Sequence, residues 1–343
     1  RSEIRVALAG AATITTERPQ GTFGGEIEVV AETPVVDPTQ VNTEINFTET
    51  FMQGSAIGSG NRSYQNMLGQ AAGVGGGSNP QVLGSTLGEN AYYVDGANTT
   101  EIERGQQGTA LNFEFIDEVQ VKAGAYSAEY GHATGGLINV ITKSGGNEFH
   151  GDVFGYFDSD ALRAPLTGEA EQGQVSGTSK TVGVVRSDYG ADLGGYILKD
   201  RLWFFAAYDR VDNQDTNEVL EDYGAEVPGA PMAGEQFPDD TTRALFAFKL
   251  PWRPGANHSL SASVFGDPTE REGSWGNFAS QPTFYLRRRL TGGTDGAINY
   301  DGVFGQNVVL SARYASHNQK LQLEGPGKAL TGYRDFTDPF GNG

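Results

Sequence analysis

The second half of the chain alternates. In Arg243–Trp252 the side chains of Ala244, Phe246, Phe248, Leu250 and Trp252 fall on one face of an extended strand. Arg243, Leu245, Ala247 and Lys249 fall on the other. Leu260, Ala262 and Val264 alternate with Ser259, Ser261 and Ser263, and Val308, Leu310, Ala312 and Tyr314 alternate with Val309, Ser311, Arg313 and Ala315. Period two, with one apolar and one more polar face, predicts β-strands. The same reading predicts seven spans, at Phe149–Asp158, Val184–Tyr196, Arg201–Val211, Arg243–Trp252, His258–Gly266, Gly296–Phe304 and Asn307–His317.

The connections between these spans keep a rhythm. Long polar stretches (Ser159–Val182, Asp212–Thr241, Asp267–Thr291) take turns with short ones (Leu198-Lys199-Asp200, Arg253–Asn257, Gly305-Gln306). Alternation alone fits a soluble sandwich as well as a barrel. Short turns at one end and long loops at the other are the pattern of a transmembrane antiparallel β-barrel, whose polar face would line a wet lumen.

The first half reads differently. Ala91–Gly96 (AYYVDG), Ile116–Lys122 (IDEVQVK) and Gly136–Lys143 (GLINVITK) predict strands, Tyr64–Ala72 a short helix, and Gly73–Ser78 a flexible loop. Asp95-Gly96 predicts a tight turn in which glycine takes a positive φ without a Cβ penalty. Gly131, Gly135 and Gly136 predict sharp turning and close packing. Gly73 and Gly75 match the start of a phosphate-binding glycine loop. However, Ser78 stands at its last position, and Asn79-Pro80 follows where a helix should begin, so no nucleotide site is expected.

Val94-Asp95-Gly96, followed by Ile116, Glu118, Val119, Val121, Gly124, Ala128, Tyr130-Gly131, Gly135-Gly136, Ile138-Asn139-Val140 and Thr142-Lys143, is a spaced motif of about fifty residues. It resembles the plug domain of TonB-dependent outer-membrane transporters. The resemblance implies a mostly β fold: an α/β plug domain inside a transmembrane antiparallel β-barrel, of which this chain holds only the first part. It implies a plug at 35–146 and the first barrel strands and extracellular loops at 147–343. The apex segments Gln81–Glu89 and Asn98–Gly108 would face substrate. Glu118 and Lys143 would help hold the plug to the inner barrel wall, with a solvated face as the other reading.

Upstream, Glu26, Ile27, Glu28, Val29, Val30 and Ala31 lie between Gly24-Gly25 and Pro34. This segment, within 25–34, resembles a TonB box. An exposed strand edge offers unpaired backbone groups to a partner, here a TonB-type periplasmic energy-coupling protein. Residues 1–24 are expected to be the end of a small β-sandwich like that of Oar-like transporters, with an unassigned leader strand as the alternative. The phrase Tyr189–Asp209 (YGADLGGYILKDRLWFFAAYD) resembles the same subfamily and favours a large peptide or protein substrate over a small iron chelate.

Composition narrows the picture. The 343 residues carry a net charge of −19, which speaks against nucleic acid as a partner. Cysteine is absent, so thiolate metal sites and disulfides are too. No apolar run is long enough for a membrane-spanning helix, which leaves a β-barrel untouched. His132, His150, His258 and His317 are far apart, and no catalytic constellation or nucleophile elbow appears. No enzyme activity, cofactor or resident metal is expected. The carboxylates at Glu218–Asp222 and Asp239-Asp240 read as solvated surface, with hard-cation ligation as the lesser alternative. Arg287-Arg288-Arg289 either meets outer-membrane lipid and lipopolysaccharide phosphate or simply flanks a strand.

Seven strands cannot close around a plug, since plugged transporters have about 22, so the chain is expected to be a segment of a longer protein. The leading expectation is energised transport across the bacterial outer membrane. The alternative is an adhesion or structural scaffold built on such a barrel.

Overall fold

The computed structural model describes residues 44–55, 62–75, 80–101, 105–124, 133–163, 175–176, 179–220, 232–273, 287–305 and 307–324. The box-like segment Glu26–Ala31, residues 1–24, and Tyr130 and Gly131 lie outside them.

The plug comes first. Strand β1 (Glu44–Thr48) leads into helix α1 (Glu49–Gly54), then α2 (Gln65–Leu68) and the small pair β2 (Val74–Gly75) and β3 (Gln81–Val82). Strands β4 (Ala91–Val94), β5 (Ala97–Asn98), β6 (Ile116–Lys122) and β7 (Leu137–Thr142) follow. The plug sheet has the order β1-β6-β7-β4-β5, with β4 and β7 parallel and its other pairs antiparallel. Its register puts Phe47, Val119, Val140 and Val94 in one row and Ile45, Val121, Ile138 and Tyr92 in the next. That face packs on Met52, Tyr64, Met67 and Leu68. Period two in β6 and β7 is what puts these residues on one face.

The predicted helix Tyr64–Ala72 is shorter than expected. Only Gln65–Leu68 is α-helical, and Gly69 ends it. The predicted loop Gly73–Ser78 begins as a strand, because Val74 and Gly75 pair with Val82 and Gln81.

The barrel wall consists of β8 (Val153–Ser159), β9 (Val175–Ser176), β10 (Ser179–Leu198), β11 (Leu202–Val219), β12 (Gln236–Gly255), β13 (His258–Gly266), β14 (Thr269–Gly273), β15 (Arg287–Thr291), β16 (Gly293–Phe304), β17 (Val308–Gln319) and β18 (Gln322–Glu324). Among the described residues the wall runs β8-β10-β11-β12-β13-β16-β17, an antiparallel meander matching the seven predicted spans. Strands β14, β15 and β18 prolong β13, β16 and β17 in the same register. Arg243 faces Thr269 just as Phe246 faces Gly266. The ladder breaks at Asp267-Pro268, where proline has no N–H to give.

The strands are longer than the sequence suggested, and the expected loop Asp212–Thr241 shrinks at both ends. Residues Asp212–Val219 and Gln236–Thr242 are paired strand rather than loop. The reason lies in the outward-facing row. On β12 it is apolar from Trp252 to Ala244, then polar at Thr242, Asp240 and Gln236. A bilayer needs only about 9–11 residues of tilted strand. Beyond that band both faces meet water, and the alternation that reveals a strand in sequence disappears.

Large apolar side chains stay exposed along the band, including Val153, Phe157, Leu193, Ile197, Phe248, Val264, Ile298 and Tyr314. On a water-facing surface such an array is rare, and on a barrel it is the lipid face. The inner face departs from the expected wet lumen. Phe205, Ala207, Val211, Leu245, Ala247, Phe265 and Ala297 are buried in one core with plug residues Leu111, Phe113 and Phe115. The plug fills this part of the lumen and excludes water from it.

Candidate functional site

The seam between plug and wall is built from both sequence halves. Val94-Asp95-Gly96-Ala97 is a two-residue hairpin turn with φ of 48° at Asp95 and 87° at Gly96. Two successive positive φ values define a turn that matches the twist of its strands, and Asp-Gly suits it. A Cβ at Gly96 would stand 3.1 Å from Asn299 Oδ1 of the wall. The turn aims the Asp95 carboxylate at three donors. Thr142 gives its backbone N–H at 3.1 Å and its hydroxyl at 2.5 Å, and Lys249 Nζ donates from β12 at 2.8 Å. Lys249 also donates to the Thr142 carbonyl at 3.0 Å, and Asn299 Nδ2 to the Asp95 carbonyl at 2.9 Å.

Higher on the wall a series of inward aspartates receives the plug segment 108–115. Asn112 Nδ2 donates to Asp209 at 2.6 Å, the Thr109 hydroxyl to Asp295, and the Ala110 N–H to Asp267 at 2.8 Å. Asp267 also accepts the Gly293 N–H at 3.1 Å, and His317 Nδ1 lies 2.6 Å from Asp295. Arg62 pairs with Glu114 inside the plug and lies over the rings of Phe113 and wall residue Tyr156, whose hydroxyl donates to Glu114 at 3.2 Å. Buried carboxylates are tolerated where such donors satisfy them.

The predicted plug residues divide into groups. Asp95, Gly96 and Lys143 sit at the seam. Lys143 Nζ is 2.7 Å from Glu49 and 3.9 Å from wall residue Asp192. Burial pulls its ammonium down, but the bond to Glu49 and the charges of Glu49 and Asp192 outweigh that and hold it above its ordinary value. Val94 is a core residue.

Glu118 departs from the expectation that it grips the wall. It is buried in the plug sheet, where Gln120 Nε2 donates to it at 3.3 Å, and burial pushes its carboxyl up from the ordinary 4.5. Asn139 lies on the same sheet face, donating to Gln120 at 3.1 Å. Gly135 and Gly136 pack closely as predicted. A Cβ on Gly135 would meet Asn90 Oδ1 and Ser85 Oγ at 2.7 Å, and the Gly136 N–H is held by Asn90 Oδ1, also at 2.7 Å.

The sequence reading missed Asn112, Thr109, Asp209, Asp267, Asp295, Lys249 and Asn299. A signal for some of them was present: Asp209 shares the inward row of Phe205, Ala207 and Val211, where a carboxylate demands a donor.

Above the seam lies a cleft of about 760 Å³ between the second predicted apex, at Glu101, Gln107 and Gly108, and the wall at Arg243, Arg271 and Lys320. The first apex, Gln81–Glu89, does not line it. Asp239, expected in a solvated run, is bound by Arg271 at 2.6 Å through Nε. Arg287-Arg288-Arg289 is itself strand, and Arg288 is paired with Glu270 and Glu324. No metal-binding group of carboxylates and histidines occurs among the described residues.

A wall with a lipid-facing apolar band and a folded domain tied into its lumen defines a plugged outer-membrane barrel. Comparison with known proteins bears on both parts. The TonB-dependent receptor plug domain matches residues 41–137, and an outer membrane beta barrel domain matches residues 141–237. The TonB-dependent transporter Oar of Myxococcus xanthus is 29% identical over 347 residues, covering 90% of this chain and 32% of that protein. The ferrienterobactin receptor of Escherichia coli is 43% identical over 47 residues, 13% of this chain and 6% of that protein.

Among solved structures, the outer membrane transporter YddB of Escherichia coli superposes with a TM-score of 0.57 at 15% identity, over 76% of this chain and 37% of that one. A mutant of the ferric enterobactin receptor PfeA of Pseudomonas aeruginosa gives 0.54 at 15% identity, over 80% and 41%. The chain carries a TonB-dependent receptor plug domain followed by part of an outer-membrane β-barrel, and it resembles TonB-dependent transporters. It spans about a third of the length of Oar.

Proposed function

We propose that the protein carries out energised transport of a ligand across the bacterial outer membrane. Ligand binds at the outer cleft, a TonB-type periplasmic protein pairs with Glu26–Ala31, and force transmitted along the chain displaces the plug. The division into box (25–34), plug (35–146) and barrel (147–343) belongs to this reading, as does contact of the lipid face with lipid and lipopolysaccharide.

The observation that carries it is the make-up of the seam. Between plug and wall, single hydrogen bonds and ion pairs such as Lys249–Asp95 and Asn112–Asp209 accompany the apolar contact of Leu111, Phe113 and Phe115 with the wall. Such bonds contribute about 1–3 kcal/mol each, so a pull can break them in series while water enters to satisfy the freed groups. A permanent scaffold gains nothing from a lumen closed this way. The Tyr189–Asp209 phrase, read as resembling that of Oar-like transporters, favours a peptide or protein as cargo.

The test is calorimetric titration of a Gly21–Thr39 peptide with the periplasmic domain of the host's TonB-type protein. Saturable binding, lost when Glu28→Pro removes a backbone donor, is the expected result. Absence of binding from the unmodified peptide would refute the coupling step.

A further inference from the structure

The place where Asn112 meets the wall holds two acids rather than one. Asp188 of β10 faces Val211 of β11, and Asp209 of β11 faces Gly190 of β10. Cross-strand partners share a face, so Asp188 lies on the inward face with Val211, as a diagonal neighbour of Asp209. Gly190 puts no side chain beside them. The ring of Phe154 from β8 covers that gap, its Cζ 2.6 Å from where a Cβ would stand. Asp209 is fully buried.

Protein donors account for only part of these two carboxyl groups. Asp209 Oδ2 accepts from Asn112 Nδ2 at 2.6 Å. Asp209 Oδ1 and Asp188 Oδ1 are both closed off from solvent, and among the described residues no N–H or hydroxyl reaches either. The two carboxyl side chains bond to each other instead. An ionised carboxylate is an acceptor only, so that bond requires a proton on one of the two. The surrounding cations do not remove the need. Arg62 of the plug is paired with Glu114, and Arg243 of β12 acts on Asp267 as well as on Asp209. Glu114 of the plug and Tyr156 of β8, hydrogen-bonded to each other, complete the titratable groups around the pair. Three carboxylates therefore stand against two guanidinium groups, one of which also serves Asp267.

We infer that Asp188 and Asp209 share a single proton across β10 and β11, and that this acid pair latches the plug segment 108–115 to the wall. With the proton in place the pair carries one negative charge, and Asp209 is held where it receives Asn112. When the proton passes to water, two carboxylates in contact inside a water-poor seam repel each other. Asp209 then turns away from Asp188, and the seat of Asn112 is lost. The two acids titrate as a unit rather than as independent groups. The latch is present while the proton is bound and is lost as pH rises past its release. The inference concerns the closed seam and stands apart from the coupling step of the transport reading.

The experiment records infrared spectra of the full-length protein in lipid vesicles near neutral pH and reads the carbonyl stretch of protonated carboxyl groups. The parent is compared with Asp188→Asn and with Asp209→Asn. An asparagine amide donates to the carboxylate that remains, so each variant keeps the bond without needing a proton. Bands from other protonated acids are common to all samples and cancel in the difference. One carboxylic-acid band of the parent is expected to be missing from both variants, and to disappear from the parent on alkaline titration. Amide protection of residues 108–115 should fall together with that band in the parent and hold steady across the same titration in Asp188→Asn. The ladder between β11 and β12 should stay protected throughout. A band that persists in either variant overturns the shared proton. A parent whose plug segment keeps its protection after the band has gone overturns the latch, and that titration decides the matter even where a variant fails to fold.

Discussion

Lys249 of the barrel wall and Asp95 of the plug meet at 2.8 Å across 154 residues of sequence, both largely withdrawn from water. The pair joins the tip of a plug hairpin to an inward position of β12, at the end of the seam nearest the short turns. Lys249→Met leaves the Asp95 carboxylate with its Thr142 donors but without a countercharge. Removing one partner of a buried pair costs about 3–5 kcal/mol, and replacing both costs much less. The expected outcome is faster amide exchange over residues 91–100 in Lys249→Met, with much of the protection restored in the double variant carrying Asp95→Asn as well.

Gly96 tests the turn itself. Its φ of 87° and the 3.1 Å approach of Asn299 to a Cβ leave little room for a side chain. Gly96→Val should cost more than about 1 kcal/mol and lower the thermal midpoint of the plug, read from exchange of the β4–β7 ladder. Asp95→Gly should leave the turn intact while losing the tie to Lys249.

Asn112 holds the wall through Asp209. Asn112→Leu removes that donor from a buried carboxylate, a loss of about 1–3 kcal/mol. Amide exchange across 108–115 should rise, while the wall ladder between β11 and β12 stays protected. Equal exposure of both would show that the variant unfolds the barrel rather than loosening the seam.

The fold was legible because period two and the turn–loop rhythm survive wherever one face meets lipid. Trp252, Leu250, Phe248 and Phe246 announce β12 by their alternation alone. Legibility failed where both faces meet water, as in Asp212–Val219, and in the short helix at Gln65–Leu68, whose apolar residues extend past the helix itself. Within the seam, Asp95 and Gly96 were readable because a local turn demands them. Lys249, Asn112 and Asp295 were not, because each matters through a partner more than 90 residues away. Glu118 was misjudged for a related reason. A charge in an apolar strand says that a partner exists but not in which domain, and here the partner is Gln120 in the same sheet.

Glu118 also makes a prediction about pH. Burial first, then the charges of Asp117 and Glu44, raise its carboxyl, against the hydrogen bond from Gln120 and the charge of Lys122. A raised carboxyl pKa means that the folded plug binds the proton more tightly than the unfolded chain. Its contribution to stability is therefore present below about 4.5 and is lost as pH rises through the higher folded value. Glu118→Gln should remove that dependence, so the variant gains on the parent between those limits. Exchange of the β6 amides across the window checks it, and an unchanged difference between variant and parent would refute it.

The central claim is that the plug leaves the wall when energy is supplied through the box. These 343 residues contain no cysteine, so a thiol introduced among them has no other thiol in this stretch. Ala97, fully buried beside the Asp95 turn, is the position to use. In cells carrying Ala97→Cys, a membrane-impermeant maleimide should label the thiol when the proton-motive force is intact. Labelling should fall away with an uncoupler, and equally when Glu28→Pro is added. Equal labelling in all three conditions would contradict the account, for it would mean that the plug stays on its wall, or leaves it, without regard to the coupling protein.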